Sequence, residues 1–269
     1  MGCEVFKLFC DPDGRFPNHH PDPADPNNLE DLKNIVVSKG LDVGLAFDGD
    51  GDRLGLVDSE GNIIWPDRQM MIFARDVLQK NPGATIIYDV KCSRNLHKWI
   101  LNYGGRPIMW KTGHSFMKSK LKETGASLAG EMSGHIFFSD LWYGFDDAIY
   151  AGARLLSILA EEENISNFFN GLPDSFCTPE IKLELKGFSV NELLDRLNDK
   201  TLFPRANKFY FLDGIRIEYD DGFGLARLSN TTPVIVFRFE GDTEDALERI
   251  KSDFRDALSL ITRNIILPF

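Results

Sequence analysis

Between residues 41 and 160, short apolar runs of strand length alternate with segments of helical periodicity, and this alternation most constrains the fold. LDVGLAF, ATIIYDV and RPIMW read as strands, with β-branched and aromatic residues and too few positions for a helix. SRNLHKWILNYG, SFMKSKLKETG and FDDAIYAGARLLSILAEEE carry apolar residues at helical spacing. A further helix is predicted from Asp67 to about Gln79. Strand followed by helix, repeated, builds a layered, mostly parallel α/β sheet. LEDLKNIVVSKG reads as an earlier helix, and GCEVFKLFC at the start as a strand with nothing before it. LGLVDSEGNIIW reads as a hairpin turning at Ser59 to Asn62. After about Asn170 the texture changes. NGLPDSFCTP reads as a linker, and beyond it come strand, helix, a group of strands and a long helix from Thr243 to about Ile261. That is an α+β unit of ordinary domain size.

The chain has 269 residues and a formal net charge of -11. The charge argues against nucleic acid, whose phosphates want basic faces, while a small anion held by a few local cations stays compatible with it. Cys3, Cys10, Cys92 and Cys177 have no metal-ligand spacing and read as reduced thiols of a cytoplasmic protein. No apolar run approaches the length of a membrane span.

FDGDGDR, Phe47 to Arg53, crowds three carboxylates into five residues with glycine between them. Like charges this close raise each other's proton affinity, and glycine is entropically costly to fix. A hard divalent cation resolves the repulsion, because Mg2+ and Ca2+ take oxygen ligands. Asp48, Asp50 and Asp52 on one face of an extended segment converge on a single ion. The competing reading is a solvated acidic turn. An EF-hand fails, since Arg53 and Ser59 stand where its glycine and glutamate belong.

Three more loops are polar and rich in small residues. KTGHS offers Lys111, His114 and Ser115 at a helix start, where backbone N–H groups favour phosphate; a simple helix cap is the alternative. In GEMSGH, Glu131, Ser133 and His135 alternate and together supply donors and acceptors for vicinal hydroxyls. In RLSNTTP, Arg227 offers a bidentate fork for phosphate, with Ser229, Asn230, Thr231 and Thr232 as short donors. Metal, hydroxyl readers and an anion clamp are what a phosphosugar enzyme requires.

DGDGDR, KTGHS, GEMSGH and RLSNTTP, in this order, resemble the α-D-phosphohexomutase family over essentially the whole chain. The resemblance implies layered mixed α/β domains followed by a C-terminal α+β domain, here as residues 1–62 (the end of the family's second domain), 63–174 (the third) and 175–269 (the fourth). It implies interconversion of hexose 1-phosphate and hexose 6-phosphate, mannose or glucose, through a hexose 1,6-bisphosphate. It places one Mg2+ on Asp48, Asp50 and Asp52, and cations Arg53, Arg68 and Lys91 at the reaction centre. His114 matches a substrate contact. Glu131 and Ser133 match readers of the sugar hydroxyls, with His135 beside them, and Arg227, Ser229, Asn230 and Thr231 match the clamp on the non-reacting phosphate. Lys91 and His135 are candidates for both catalysis and substrate binding, and the identity of the general acid or base stays open. The family's nucleophile, a phosphorylated serine in a T-x-S-H-N-P-type loop, has no counterpart here. The expectation is therefore a chain inactive alone, whose partner is a missing N-terminal domain. Two other readings remain: a haloacid-dehalogenase-type phosphatase with Asp48 as nucleophile and Asp146 and Asp147 as metal ligands, and a phosphosugar-binding fragment without catalysis.

Overall fold

A computed structural model describes residues 2–11, 13–184, 189–229, 232–262 and 267–269. They divide into two compact units. The first comprises Met1–Cys92, Leu96–Ile108 and His114–Pro173, and the second Ser93–Asn95, Met109–Gly113 and Asp174–Phe269.

The first unit opens without the expected strand. Residues 2–7 carry no regular structure, although GCEVFKLFC has strand composition. Among the described residues no strand pairs with this segment, and propensity alone does not hold a strand without a ladder partner. A 3-10 turn Pro26–Leu29 leads into α1 (Glu30–Lys39), which packs on a two-stranded antiparallel sheet of β1 (Val43–Phe47) and β2 (Leu54–Asp58). The aspartate loop is thus the connection of a hairpin whose last pair is Phe47 with Leu54. The hairpin expected after β2 reduces to a turn, in which Gly61 N–H donates to Asp58 O at 3.1 Å, and an isolated bridge between Val57 and Ile63.

Next comes α2 (Pro66–Lys80), with proline in its first turn, where no backbone donor is needed. Then follow β3 (Thr85–Asp89), α3 (Arg94–Asn102), β4 (Arg106–Trp110), α4 (His114–Thr124), β5 (Leu128–Gly130) and β6 (Ile136–Phe138). The sheet runs β4-β3-β5-β6, with β3 parallel to β5 and β6 antiparallel to β5. Strand residues such as Ile86, Ile87, Leu128 and Phe137 are fully buried, which is why these runs are continuously apolar. Helix α5 (Ala148–Leu159) is capped by Asp147, which accepts from Tyr150 N–H at 2.9 Å, and α6 (Ile165–Asn170) follows.

The second unit is an antiparallel sheet with helices. β7 (Phe176–Cys177), β8 (Ile181–Glu184), β9 (Lys208–Tyr210), β10 (Ile215–Tyr219), β11 (Gly222–Leu228) and β12 (Val234–Gly241) run in the order β7-β12-β11-β10-β9, and β8 also pairs with β12. Every residue of β12 is buried. α7 (Val190–Leu197) and α8 (Glu244–Ile261) close a core of Leu193, Phe203, Ile217, Phe237, Phe239 and Phe254. α8 is capped by Thr243, which accepts from Ala246 N–H at 3.1 Å.

Candidate functional site

The hairpin loop is not the extended chain its alternation suggests. Asp48 folds it. One carboxylate oxygen accepts from the backbone N–H of Asp52 at 2.9 Å and of Arg53 at 3.1 Å, and the other accepts from Arg53 Nε at 2.7 Å. Gly51 N–H donates to Asp48 O at 3.3 Å, and Gly51 takes φ of 75°, a turn that glycine enters without strain. The tight turn gathers oxygens of Asp48, Asp50 and Asp52 to within 4.8 Å of one another. The loop is a hairpin turn whose three carboxylates lie close together.

Electrostatics divide the cluster. Burial alone would raise the Asp48 carboxyl, but its bonds from Arg53 outweigh that and hold it below the usual range. Asp52 is pushed up to about 7, first by burial and then by Asp48, Asp50 and Asp146. Arg53 is steadied from the far side by Asp22 of the HHPDP loop, at 2.8 Å. An elevated carboxylate beside two others marks negative potential that a proton only partly answers. An all-oxygen set of this kind suits Mg2+.

The GEMSGH loop sits against this hairpin. Leu54 N–H donates to Gly134 O at 3.1 Å, and Arg53 and His135 form a β-bridge. Gly134 has φ of 100°, and a Cβ there would lie 3.2 Å from Leu54 O, so only glycine makes this approach. His135 Nδ1 is 2.7 Å from Ser133 Oγ and 3.7 Å from buried Glu131 Oε2, and His135 Nε2 is 3.4 Å from Asp52 Oδ1. Burial lowers the His135 pKa to about 4, leaving a neutral imidazole. His114, the first residue of α4, stacks on His135 at 5.7 Å between centroids.

Asp146 completes the group. Its Oδ2 lies 3.2 Å from His114 Nδ1, and its Oδ1 accepts from Lys118 Nζ at 2.8 Å. Sequence reasoning had Asp146 only under the phosphatase reading, paired with Asp147. The structure separates them: Asp147 caps α5, and its other oxygen accepts from Trp142 Nε1 at 3.1 Å. Asp22 was missed as well. Its only signal is its place in a proline-rich loop that offers no periodicity.

The remaining candidates have described partners of their own. Lys91 is buried, with Nζ 4.0 Å from Asp89 Oδ2. Arg68 Nη2 donates to the carbonyls of Phe169 at 3.3 Å and Leu172 at 3.4 Å, so its guanidinium is turned toward the end of α6. In the second unit, Arg227 is 4% exposed on β11, with Nε donating to Asp213 Oδ2 at 2.9 Å. Ser229 Oγ lies 3.1 Å from Thr232 Oγ1. Asn230 and Thr231 lie outside the described residues.

Against known proteins, three family profiles cover most of the chain. "Phosphoglucomutase/phosphomannomutase, alpha/beta/alpha domain II" matches residues 1–61, its domain III residues 65–176, and the C-terminal domain residues 180–257. The chain is 54% identical over 269 residues to the phosphoglucomutase of Neisseria meningitidis and 53% identical over 270 residues to the phosphomannomutase/phosphoglucomutase of Pseudomonas aeruginosa. It is covered completely in both and spans 58% of either relative. A crystal structure of a phosphoglucomutase/phosphomannomutase family protein from Burkholderia thailandensis superposes with a TM-score of 0.95 at 56% identity, over the whole chain and 57% of that structure. The chain belongs to the phosphohexomutase family and spans somewhat more than half the length of these relatives. No helix of the described residues is long and apolar enough to cross a membrane.

Proposed function

We propose that the chain carries the metal-, sugar- and phosphate-binding groups of a Mg2+-dependent phosphohexomutase, which interconverts hexose 1-phosphate and 6-phosphate through a hexose 1,6-bisphosphate. The convergence of Asp48, Asp50 and Asp52 within 4.8 Å, with Arg53 bonded to Asp48, carries this reading. Residues 1–62, 63–174 and 175–269 would be the end of the family's second domain, its third and its fourth, in keeping with the profile matches.

Phosphoryl transfer is mostly positioning and charge stabilisation. Mg2+ bound by the three aspartates would neutralise charge on the phosphoryl oxygens. Arg53 keeps Asp48 ionised and ready as a ligand. Glu131, Ser133 and neutral His135 present acceptor and donor atoms to vicinal hydroxyls, and a set of such readers holds a sugar in either of two orientations. Arg227 and Ser229 would hold the non-reacting phosphate. Lys91, Arg68 and His114 keep the roles the resemblance assigns, as cations and a substrate contact, and Asn230 and Thr231 theirs in the clamp.

Asp48 already accepts from Asp52 N–H, Arg53 N–H and Arg53 Nε. The third, glycine-separated aspartate and the anion loop near the C-terminus favour the phosphohexomutase reading over a phosphatase in which Asp48 attacks.

The sequence contains no T-x-S-H-N-P-type loop, so this chain alone is expected to bind hexose phosphates without turning them over. Calorimetry with glucose 1-phosphate and Mg2+ tests binding. A coupled assay with a trace of glucose 1,6-bisphosphate tests turnover. Absence of Mg2+-dependent sugar phosphate binding would remove the proposed site. Turnover within about tenfold of the ~10 s⁻¹ enzyme median would show that the chain carries its own phosphoryl acceptor.

A further inference from the structure

The carboxylate cluster has a second group of donors on its other side, of different chemistry. One ligand atom from each of Asp52, His135 and Asp146 lies within 4.8 Å of the others. We propose that these residues form a second divalent-metal site, selective for Zn2+ and similar borderline ions. It shares Asp52 with the Mg2+ site inferred above, so filling one withdraws a ligand from the other. The proposal rests on that reading of the aspartate triad.

The donor set carries the argument. An imidazole with two carboxylates is a Zn2+ set, whereas Mg2+ takes oxygen alone. Zn–N and Zn–O bonds of about 2.0–2.2 Å arranged tetrahedrally put ligand atoms about 3.3–3.6 Å apart. His135 Nε2 and Asp52 Oδ1 are 3.4 Å apart without bond-forming contraction. A ligating histidine normally has its other ring nitrogen held by an oxygen, which fixes the ring. Ser133 Oγ does this at His135 Nδ1, at 2.7 Å, and leaves Nε2 directed at Asp52. His114 Nδ1, 3.2 Å from Asp146 Oδ2 and 3.3 Å from Lys118 Nζ, stands outside this group of three and leaves the fourth position to water. Two cations oppose the ion: Lys118 on Asp146 Oδ1 at 2.8 Å, and Arg53, whose Nε is 3.9 Å from Asp52 Oδ1. Lys118 holds Asp146 Oδ1, so the metal would take Oδ2 and displace its contact with His114 Nδ1.

Zn2+ at this place would take Asp52 from Mg2+ and immobilise His135, blocking the site without any change of fold. The test is calorimetric titration of the full chain with Zn2+ and, separately, with Mg2+, alongside the visible spectrum with Co2+. His135→Gln and Asp146→Asn are each expected to weaken Zn2+ by at least about tenfold and to remove the intense absorption of four-coordinate Co2+. Asp50→Asn is expected to leave Zn2+ within about threefold while weakening Mg2+. Excess Mg2+ should weaken Zn2+ in the parent. A His19→Gln/His20→Gln variant should bind Zn2+ as the parent does, excluding that histidine pair. Circular dichroism checks each variant for folding, and the two weakening substitutions lie on separate segments, so one misfolded variant leaves the other to decide. Zn2+ binding that falls with Asp50→Asn but not with His135→Gln or Asp146→Asn overturns the second site, since Zn2+ then merely occupies the triad. Loss of Zn2+ in the His19/His20 variant overturns it too. Mg2+ binding unaffected by Asp50→Asn is a separate failure, that of the triad reading.

Discussion

Arg154 holds together the ground behind the site, and its replacement by methionine is the most informative perturbation of stability. The side chain lies on α5 and is 7% exposed. Its Nε donates to Asp76 Oδ2 at 2.7 Å, Nη2 to Asp140 Oδ2 at 2.8 Å and Nη1 to Tyr150 Oη at 3.1 Å, and its guanidinium lies over the Phe138 ring at 5.3 Å. Methionine keeps the stem's apolar packing but removes every one of these bonds. Asp76 retains Lys80 at 2.6 Å, whereas Asp140, with 1% of its side chain exposed, loses its ion-pair partner. Removing one partner of a buried pair costs about 3–5 kcal/mol. Because Asp76 keeps a cation, the lower half of that range is expected, about 3–4 kcal/mol. For a unit of this size each kcal/mol moves Tm by about 2–4 °C, so a fall of roughly 6–16 °C should follow. Urea and thermal unfolding at neutral pH, read by tryptophan fluorescence, measure it; Trp142 stacks on Tyr150 at 4.4 Å and reports on this region. Asp140→Asn in the methionine background should recover at least about 1 kcal/mol, because a buried neutral amide is less costly than a buried lone carboxylate. A loss under about 1 kcal/mol, or a second substitution that only destabilises further, would refute the view that Asp140 depends on Arg154 for its charge.

Other substitutions probe the site directly. In the metal-free protein Asp52 titrates near 7, against about 3.9 unfolded. Its contribution to stability is present below pH ~4 and lost as pH rises through 7. At the proposed site Mg2+ would have to displace that proton, so its affinity, and the Tm rise it gives, should be about tenfold and correspondingly weaker at pH 6 than at pH 8; equal affinities in calorimetry at both pH values would contradict this. Gly134→Ala, with positive φ and its methyl 3.2 Å from Leu54 O, should cost on the order of 1–3 kcal/mol and loosen the Asp52–His135 approach, visible as weaker sugar phosphate binding; a stability within a few tenths of the parent would show that the loop relaxes freely. Arg227→Ala should weaken mannose 1-phosphate binding by on the order of 2 kcal/mol; unchanged affinity would place the phosphate clamp elsewhere.

Much of this was legible from the amino acids because it rests on local chemistry. β3, α3, β4 and α4 follow from apolar periodicity, and the capped α8 from Thr243 ahead of two acidic residues. Three aspartates with glycine between them announce a cluster wherever they fold. What stayed hidden depends on distant partners. GCEVFKLFC has the composition of a strand, but strand formation needs a neighbour. Asp146 and Asp147 are indistinguishable in FDDAIY; only the fold makes one a helix cap and brings the other to His114 and Lys118. Arg68 looks like any cation near a helix start, yet its fork is turned to the carbonyls of Phe169 and Leu172.

The pinning of the aspartate hairpin at both ends limits how such a loop can change over generations. Surface loops ordinarily accept insertions and deletions more readily than the elements they join. Here Phe47 is paired with Leu54, Arg53 is bridged to His135, and Gly51 O accepts from Ala148 N–H at 3.0 Å. A residue gained or lost between these clamps would have to be absorbed within the turn itself, because a slip of β2 by one position would turn its side chains to the opposite face of the sheet, and all of β2 is buried. Drift in this stretch therefore runs to exchange of one side chain for another, with any change of length confined to the turn.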